Sequence, residues 1–381
     1  MKKKLCFITG SRADYGPIRY FLNQLKKNNN FKVQIIVTGS HLSNKFGSSV
    51  KEIIKDGFKI NKKININLSG KSASDIAKAT GRLIQFLPLK IKKLNPDAII
   101  LFGDRYETFA AAYSAFILRK PIVHICGGDI TVGSLDNTMR HSITKMSNLH
   151  FVTNKASRKV VIRLGENPKS VFNTGSLGTE AISKIKLLTK EDLEKKYKIN
   201  LSSKNLLITY HADGSLKNSY TKDLSNIFSA LEKFPKILKI FTASNADENG
   251  EKANFLIKNF IKKRKNNSIF LPSMGNVNYL SILKYVDAVI GNSSSGIYEV
   301  PSFRKPTVNL GNRQEGRLMA KSVIHSKINK KFIIQAINKV YSKKFRKKLK
   351  KIKNPYSGKN ASNNMIKILL KYDFSKFKKN I

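Results

Sequence analysis

Three aspartates, Asp104, Asp129 and Asp136, stand in one stretch with Arg105, Arg140 and His141 among them. Carboxylates and imidazoles are the side chains that take and return protons, and arginine meets carboxylate or phosphate through paired hydrogen bonds. A second set lies further along. His211 ends an apolar run, with Asp213 and Gly214 beside it. Gly291-Asn292-Ser293-Ser294-Ser295-Gly296 offers small residues that let a backbone come close to a ligand, and donors that suit a phosphate oxygen. Glu299 follows Ser295 by one helical turn, placed to accept from ribose hydroxyls, and Gly311–Arg317 carries Arg313 and Arg317, suited to a diphosphate. Arg12 sits in a third glycine-bearing stretch, Gly10–Gly16. A helix cap or loop filler accounts for any one of these residues. It does not account for the cluster.

Such residues need elements to hold them. The apolar runs Ala98–Phe102 and Pro121–Ile125 each stop at one of these polar loops, which reads as a buried parallel strand with its polar residues at the carboxyl end. Open α/β sheets bind ligands at that edge. Tyr106–Leu118, between them, is Ala-rich and helix-like. The same grammar runs through the first half. Lys4–Thr9 is a strand, Gly10–Gly16 its loop and Pro17–Lys27 a helix. Lys32–Thr38, the alternating Ile64–Leu68, Leu149–Thr153 and Val171–Thr174 are further strands. In the second half the strands are Asn205–Tyr210, Ile237–Thr242, Ser268–Leu271, Ala288–Ile290 and Thr307–Leu310. The expected class is α/β, with two Rossmann-like domains at 1–185 and 200–355, a connection around Ser183–Ser203, and a C-terminal helix (360–375) completing the first. Acids in one half and phosphate donors in the other imply a cleft between facing domains that closes on a nucleotide-linked molecule. The glycine spacing fits neither a dinucleotide fingerprint nor a Walker loop, so no NAD or ATP site is expected.

The chain has 381 residues, 41% hydrophobic, enough for sizeable cores. No apolar run approaches the roughly 20 residues of a membrane span, and the apolar part of the N-terminus breaks at Gly10. A cytoplasmic protein with no membrane partner is expected. Cys6 and Cys126 fall in expected buried strands, which reads as reduced thiols without a disulfide or zinc site. The formal charge of +48 raises nucleic acid as a partner. A nucleic-acid binder gathers its basic residues on one face. Here lysine is spread over nearly every helix and loop, which suggests a genome-wide residue bias. The arginines beside the polar clusters suit a small polyanionic substrate instead.

SRADYG (Ser11–Gly16), FGDRYE (Phe102–Glu107), HICGGD (His124–Asp129), RHSITKMSNLHF (Arg140–Phe151), VFNTGSLG (Val171–Gly178), SNADENG (Ser244–Gly250), GNSSSGIYEVPS (Gly291–Ser302) and LGNRQEGR (Leu310–Arg317) occur in this order. Together they resemble the hydrolysing UDP-N-acetylglucosamine 2-epimerases of sialic and related nonulosonic acid pathways, from the N-terminus to about residue 325. The resemblance implies a glycosyltransferase-B-like fold and conversion of UDP-GlcNAc and water to N-acetylmannosamine and UDP, with no metal and no nicotinamide. It places Arg12, Arg105, Arg313, Ser293 and Ser294 on the diphosphate and Glu299 on the ribose. Asp104, Asp136 and His211 surround C1 and C2 of the sugar, with Asp129 in the same catalytic set. A homo-oligomer is also implied. Cys126 stands where many relatives have Glu and is given no catalytic role, because a thiol does not replace a carboxylate near neutral pH. His211 is followed by Ala212, where the family usually has Pro. The alternatives are a 2-epimerase for a 2,4-diacetamido nucleotide sugar and a glycosyltransferase of the same fold.

Overall fold

A computed structural model of the chain describes residues 2–44, 48–69, 72–132, 134–201, 204–212, 219–244, 249–263, 267–272, 274–358 and 360–375. The chain divides into two compact units. The first joins Met1–Ser69, Ser74–Lys184 and Tyr356–Ile381, and the second holds Ile185–Pro355. Each is built on one parallel sheet.

In the first unit the strands are β1 (Lys3–Thr9), β2 (Phe31–Val37), β3 (Lys62–Lys63), β4 (Ala98–Phe102), β5 (Ile122–Ile125), β6 (Leu149–Val152) and β7 (Val171–Asn173). Their order is β3-β2-β1-β4-β5-β6-β7. The strands are apolar along most of their length because helices cover both faces of a parallel sheet. Leu5, Phe7, Ile35, Ile100, Val123 and Phe151 are part of one buried core. The order reverses between β1 and β4, so the loops after these two strands diverge and leave a crevice at their carboxyl ends. Arg12, Asp104 and Arg105 follow those two strands.

The second unit contains β8 (Asn205–Thr209), β9 (Leu238–Thr242), β10 (Ser268–Leu271), β11 (Ala288–Gly291), β12 (Thr307–Leu310) and β13 (Val323–Ser326), ordered β10-β9-β8-β11-β12-β13. Its switch point lies between β8 and β11, which end at the His211 loop and the serine loop. Phe228 and Phe260 stack at 4.2 Å in its core, and Phe241 meets Phe260 edge-on. The helix Lys190–Tyr197, within the stretch expected to connect the halves, is part of this unit. Thr189 caps its N-terminus, and the Leu188 N–H donates to Ser281 Oγ at 2.9 Å.

Four details differ from the sequence expectation. The first helix runs Arg12–Lys27 rather than starting at Pro17, because Asp14 accepts from the backbone N–H groups of Gly10 and Ser11 and closes the first turn. The loop after β1 is therefore only Gly10-Ser11. Ile64–Leu68 is no strand. Its alternating burial comes from packing on one side beyond the two-residue β3, and Asn67 turns the chain at φ 52°. β13 adds an edge strand that the pattern did not reveal. Arg140 and His141, expected among loop residues, lie with Asp136 on a helix, Leu135–Met146, whose Ser134 N-cap accepts from the Asp136 N–H.

The C-terminal helix Ala361–Lys371 belongs to the first unit and gives Ala361, Met365, Ile366 and Leu369 to its core. Its N-terminal turn is held by buried Glu180, whose carboxylate accepts from the Ser362 N–H at 2.8 Å and from its hydroxyl. Glu180→Ala removes the one oxygen, Oε2, that accepts from both donors. Urea unfolding is expected to show a loss of about 1–3 kcal/mol, the cost of leaving buried donors unpaired. No loss would mean that the apolar contacts alone dock this helix.

Candidate active site

Arg140 is the hub of the first unit's polar cluster. It is 1% exposed, and its guanidinium makes contacts on three sides. Nε donates to Asp104 Oδ2 at 2.8 Å, and Nη2 contacts the same oxygen. Nη1 donates to the Asp129 carbonyl at 2.6 Å and lies 3.2 Å from Thr131 Oγ1. One buried side chain thus ties the loop after β4 to the loop after β5, from the same helix that carries Asp136. Asp136 itself is half-buried in the first turn of that helix.

His124, on β5, secures the same corner from beneath. Its Nε2 lies 2.9 Å from the Gly103 carbonyl, which can only accept, so this nitrogen carries the proton and Nδ1 accepts from Thr144 Oγ1 at 3.1 Å. Thr144 sits one turn after Arg140. Neither His124 nor Thr144 was singled out from sequence. A histidine inside an apolar strand run was the available signal.

The acids differ in their surroundings. The side chain of Asp104 is 21% exposed. Asp129 is 5% exposed, and its Oδ1 accepts from Ser157 Oγ at 2.5 Å and Thr153 Oγ1 at 3.4 Å, within the protein interior. Arg105 donates from Nε to Glu107 Oε2 at 3.1 Å. Asp14, buried nearby, is pushed up to about 7 by burial, partly countered by Arg105. Cys126 is half-buried one residue beyond β5, not within it, and turns the chain at φ 71°. Cys6 is buried in β1 and its thiol is pushed up to about 12.

Two buried histidines predict an acid-sensitive first unit. Burial holds His124 down to about 3 and His41 down to about 4, with Arg12 adding to the effect at His41. Unfolded histidine takes its proton near 6.5. Their contribution is therefore full above that value and lost as the pH falls through 6.5 towards 4, on the order of 3 kcal/mol for each. Asp14 works in the opposite direction, since its raised value makes the folded state the better proton binder between about 4 and 7. The two histidines outweigh it. The melting temperature is expected to drop on acidification, His124→Gln to flatten that drop, and Asp14→Asn to steepen it. A melting temperature flat from pH 7 to 4.5 would contradict the assignment.

In the second unit Asn292 joins three loops. Its Oδ1 accepts from the His211 N–H at 2.7 Å, and its Nδ2 donates to the His211 carbonyl at 2.8 Å. The Asn292 carbonyl accepts from Gln314 Nε2 at 2.8 Å and Arg313 Nη1 at 3.2 Å. His211 is buried two residues beyond β8. Ser293 and Ser294 are half-buried and lead into the short helix Ser295–Tyr298. Glu299 caps its end. Crowding by protein raises the Glu299 carboxyl above its ordinary range, offset by a hydrogen bond to Ser295, which also accepts from Tyr279 Oη at 2.6 Å. The sequence reading missed Asn292 and Gln314. Asp213 and Gly214, and positions 245–248 of the Ser244–Gly250 motif, lie outside the described residues.

A sequence profile described as UDP-N-acetylglucosamine 2-epimerase matches residues 23–370. The chain belongs to this family. It is 38% identical to the GDP/UDP-N,N'-diacetylbacillosamine 2-epimerase (hydrolyzing) of Campylobacter jejuni, covering 91% of this chain and 89% of that protein. It is 36% identical to polysialic acid biosynthesis protein P7 of Escherichia coli, covering 99% and 96%. The crystal structure of the Neisseria meningitidis UDP-GlcNAc 2-epimerase bound to UDP-GlcNAc superposes with a TM-score of 0.82 at 21% identity, over 97% of this chain and all of that one. The fold is thus the two-domain, glycosyltransferase-B-like fold of this family, and the chain is an enzyme of the hydrolysing nucleotide-sugar 2-epimerase type. Among the described residues, no group of histidines, cysteines and acids could hold a metal ion, and no helix is long and apolar enough to cross a membrane.

Proposed function

We propose that this enzyme takes UDP-GlcNAc and water to N-acetylmannosamine and UDP. Asp136 removes the proton from C2, the electron pair forms a C1–C2 double bond, and the C1–O bond to the diphosphate breaks. Water then delivers its oxygen to C1 and a proton reaches C2 from the opposite face. A base must lie within hydrogen-bond reach of the C2 proton, and donors must meet the charge that develops on the diphosphate. Ser293, Ser294 and Arg313 supply those donors, with Arg12 and Arg105 as further cations, and Glu299 accepts from the ribose. His211 exchanges a proton with, or orients, the water. Asp104 is the fixed acceptor for the sugar. Asp129, turned into the protein interior, orders its loop instead of touching substrate. The enzyme works as a cytoplasmic homo-oligomer, without nucleic acid.

The observation that carries this reading is the buried guanidinium of Arg140. It fixes Asp104 from the helix on which Asp136 stands. A second reading, a sugar with a further acetamido group at C4, is favoured by the 38% identity to the Campylobacter jejuni enzyme named for diacetylbacillosamine. Incubation of each nucleotide sugar in deuterated water separates the two. The proposal expects free N-acetylmannosamine carrying deuterium at C2. Turnover of only the diacetamido substrate selects the second reading, and product without deuterium rules out proton abstraction.

A further inference from the structure

Asn292 does more than close a turn. It is 3% exposed, and all of its hydrogen-bonding groups described above face loops that the proposed function uses. The side-chain amide holds the backbone of His211 at both its N–H and its carbonyl, as a neighbouring strand would. The main-chain carbonyl accepts from Gln314 and Arg313, which fixes the peptide leading into Ser293. We propose that Asn292 is a positioning residue that couples the grip on the diphosphate to the placement of His211. The inference rests on the functional reading given above.

The chemistry explains the residue type. A carboxamide presents one acceptor and one donor side by side, which is what a single residue's N–H and carbonyl require. Aspartate has the same shape but sets a second acceptor against the His211 carbonyl. Alanine leaves both groups of a buried peptide without a partner. Neither change touches the Asn292 carbonyl, so the contacts of Arg313 and Gln314 remain. The two halves of the coupling can therefore be separated by substitution.

The experiment compares Asn292→Asp, Asn292→Ala, His211→Ala and the Asn292→Ala/His211→Ala double variant. UDP affinity is read by calorimetry and kcat with the substrate that the parent enzyme turns over. UDP affinity within about threefold of the parent is expected in both Asn292 variants, with kcat at least about 30-fold lower. The double variant should be no slower than His211→Ala alone, since residues acting through one another are not additive. An unchanged kcat overturns the proposal, and so does a loss that multiplies with that of His211→Ala. Equal loss of UDP affinity and kcat, or failure of both Asn292 variants to fold, makes Asn292 plain structural support and also overturns it. A fully active His211→Ala is a failure of the functional reading itself, read from that single variant.

Discussion

Arg140→Ala is expected to lower kcat/KM by about 10²- to 10³-fold, because a reacting group displaced by about 1 Å can cost 10²-fold on its own. The side chain is buried, and its partners are the Asp104 carboxylate and the Asp129 carbonyl, from loops that follow two different strands. Removing the guanidinium leaves a carboxylate partly out of water without the two Arg140 contacts to its Oδ2. Breaking a fully buried ion pair costs about 3–5 kcal/mol, and the partial exposure of Asp104 brings the expected loss to about 2–3 kcal/mol. Arg140→Lys keeps the charge. A single ammonium cannot reach both Asp104 and the Asp129 carbonyl with the same fork, so this variant should recover most of the stability and little of the rate. Added guanidinium, at concentrations too low to denature, should restore part of the activity of Arg140→Ala and none of that of Arg140→Lys. Steady-state kinetics and urea unfolding measure both effects. An Arg140→Ala enzyme within fivefold of the parent would show that the placement of Asp104 does not depend on this clamp.

What the sequence made legible follows the range of each interaction. The strands expected at Lys4–Thr9 and Ala98–Phe102, observed at Lys3–Thr9 and Ala98–Phe102, could be read because parallel strands covered on both faces are apolar along most of their length. Their loops could be read because polar residues gather where these strands end, so Asp104, His211 and Ser293 were expected just beyond strands, and they follow β4, β8 and β11. The start of the first helix was obscured because Gly16 and Pro17 suggested a loop, while the deciding feature was the short spacing from Ser11 to Asp14. β13 was missed because an edge strand with His325 facing solvent has too few apolar residues to stand out. The partnerships were the least legible. Arg140 and Asp104 are separated by 36 positions, Asn292 and His211 by 81, and no local pattern records either pair. Asn292 looked like one more small polar residue in a serine-rich loop.

Gly291→Ala should weaken UDP binding severely through geometry alone. Gly291 ends β11, pairs with Thr209 of β8 and has φ 142°, a conformation essentially confined to glycine. A Cβ built there would lie 1.8 Å from the Thr209 carbonyl oxygen and 2.7 Å from its carbon. These are backbone atoms of the adjacent strand and cannot swing aside. The two strands would have to part at the point where the His211 loop and the serine loop begin. Backbone strain and lost pairing together are expected to cost more than about 3 kcal/mol of stability, and UDP affinity should fall by more than about 100-fold. Gly103→Ala is the matched control. Gly103 has φ 80°, but a Cβ there meets nothing within 4 Å, so only the left-handed backbone penalty of about 1–2 kcal/mol applies. The contrast reads what the close approach to β8 and the φ of 142° together add to an ordinary left-handed penalty. Urea unfolding and calorimetry with UDP would decide it. If Gly291→Ala bound UDP as tightly as Gly103→Ala, the close approach of β8 and β11 would not be what shapes the diphosphate loop.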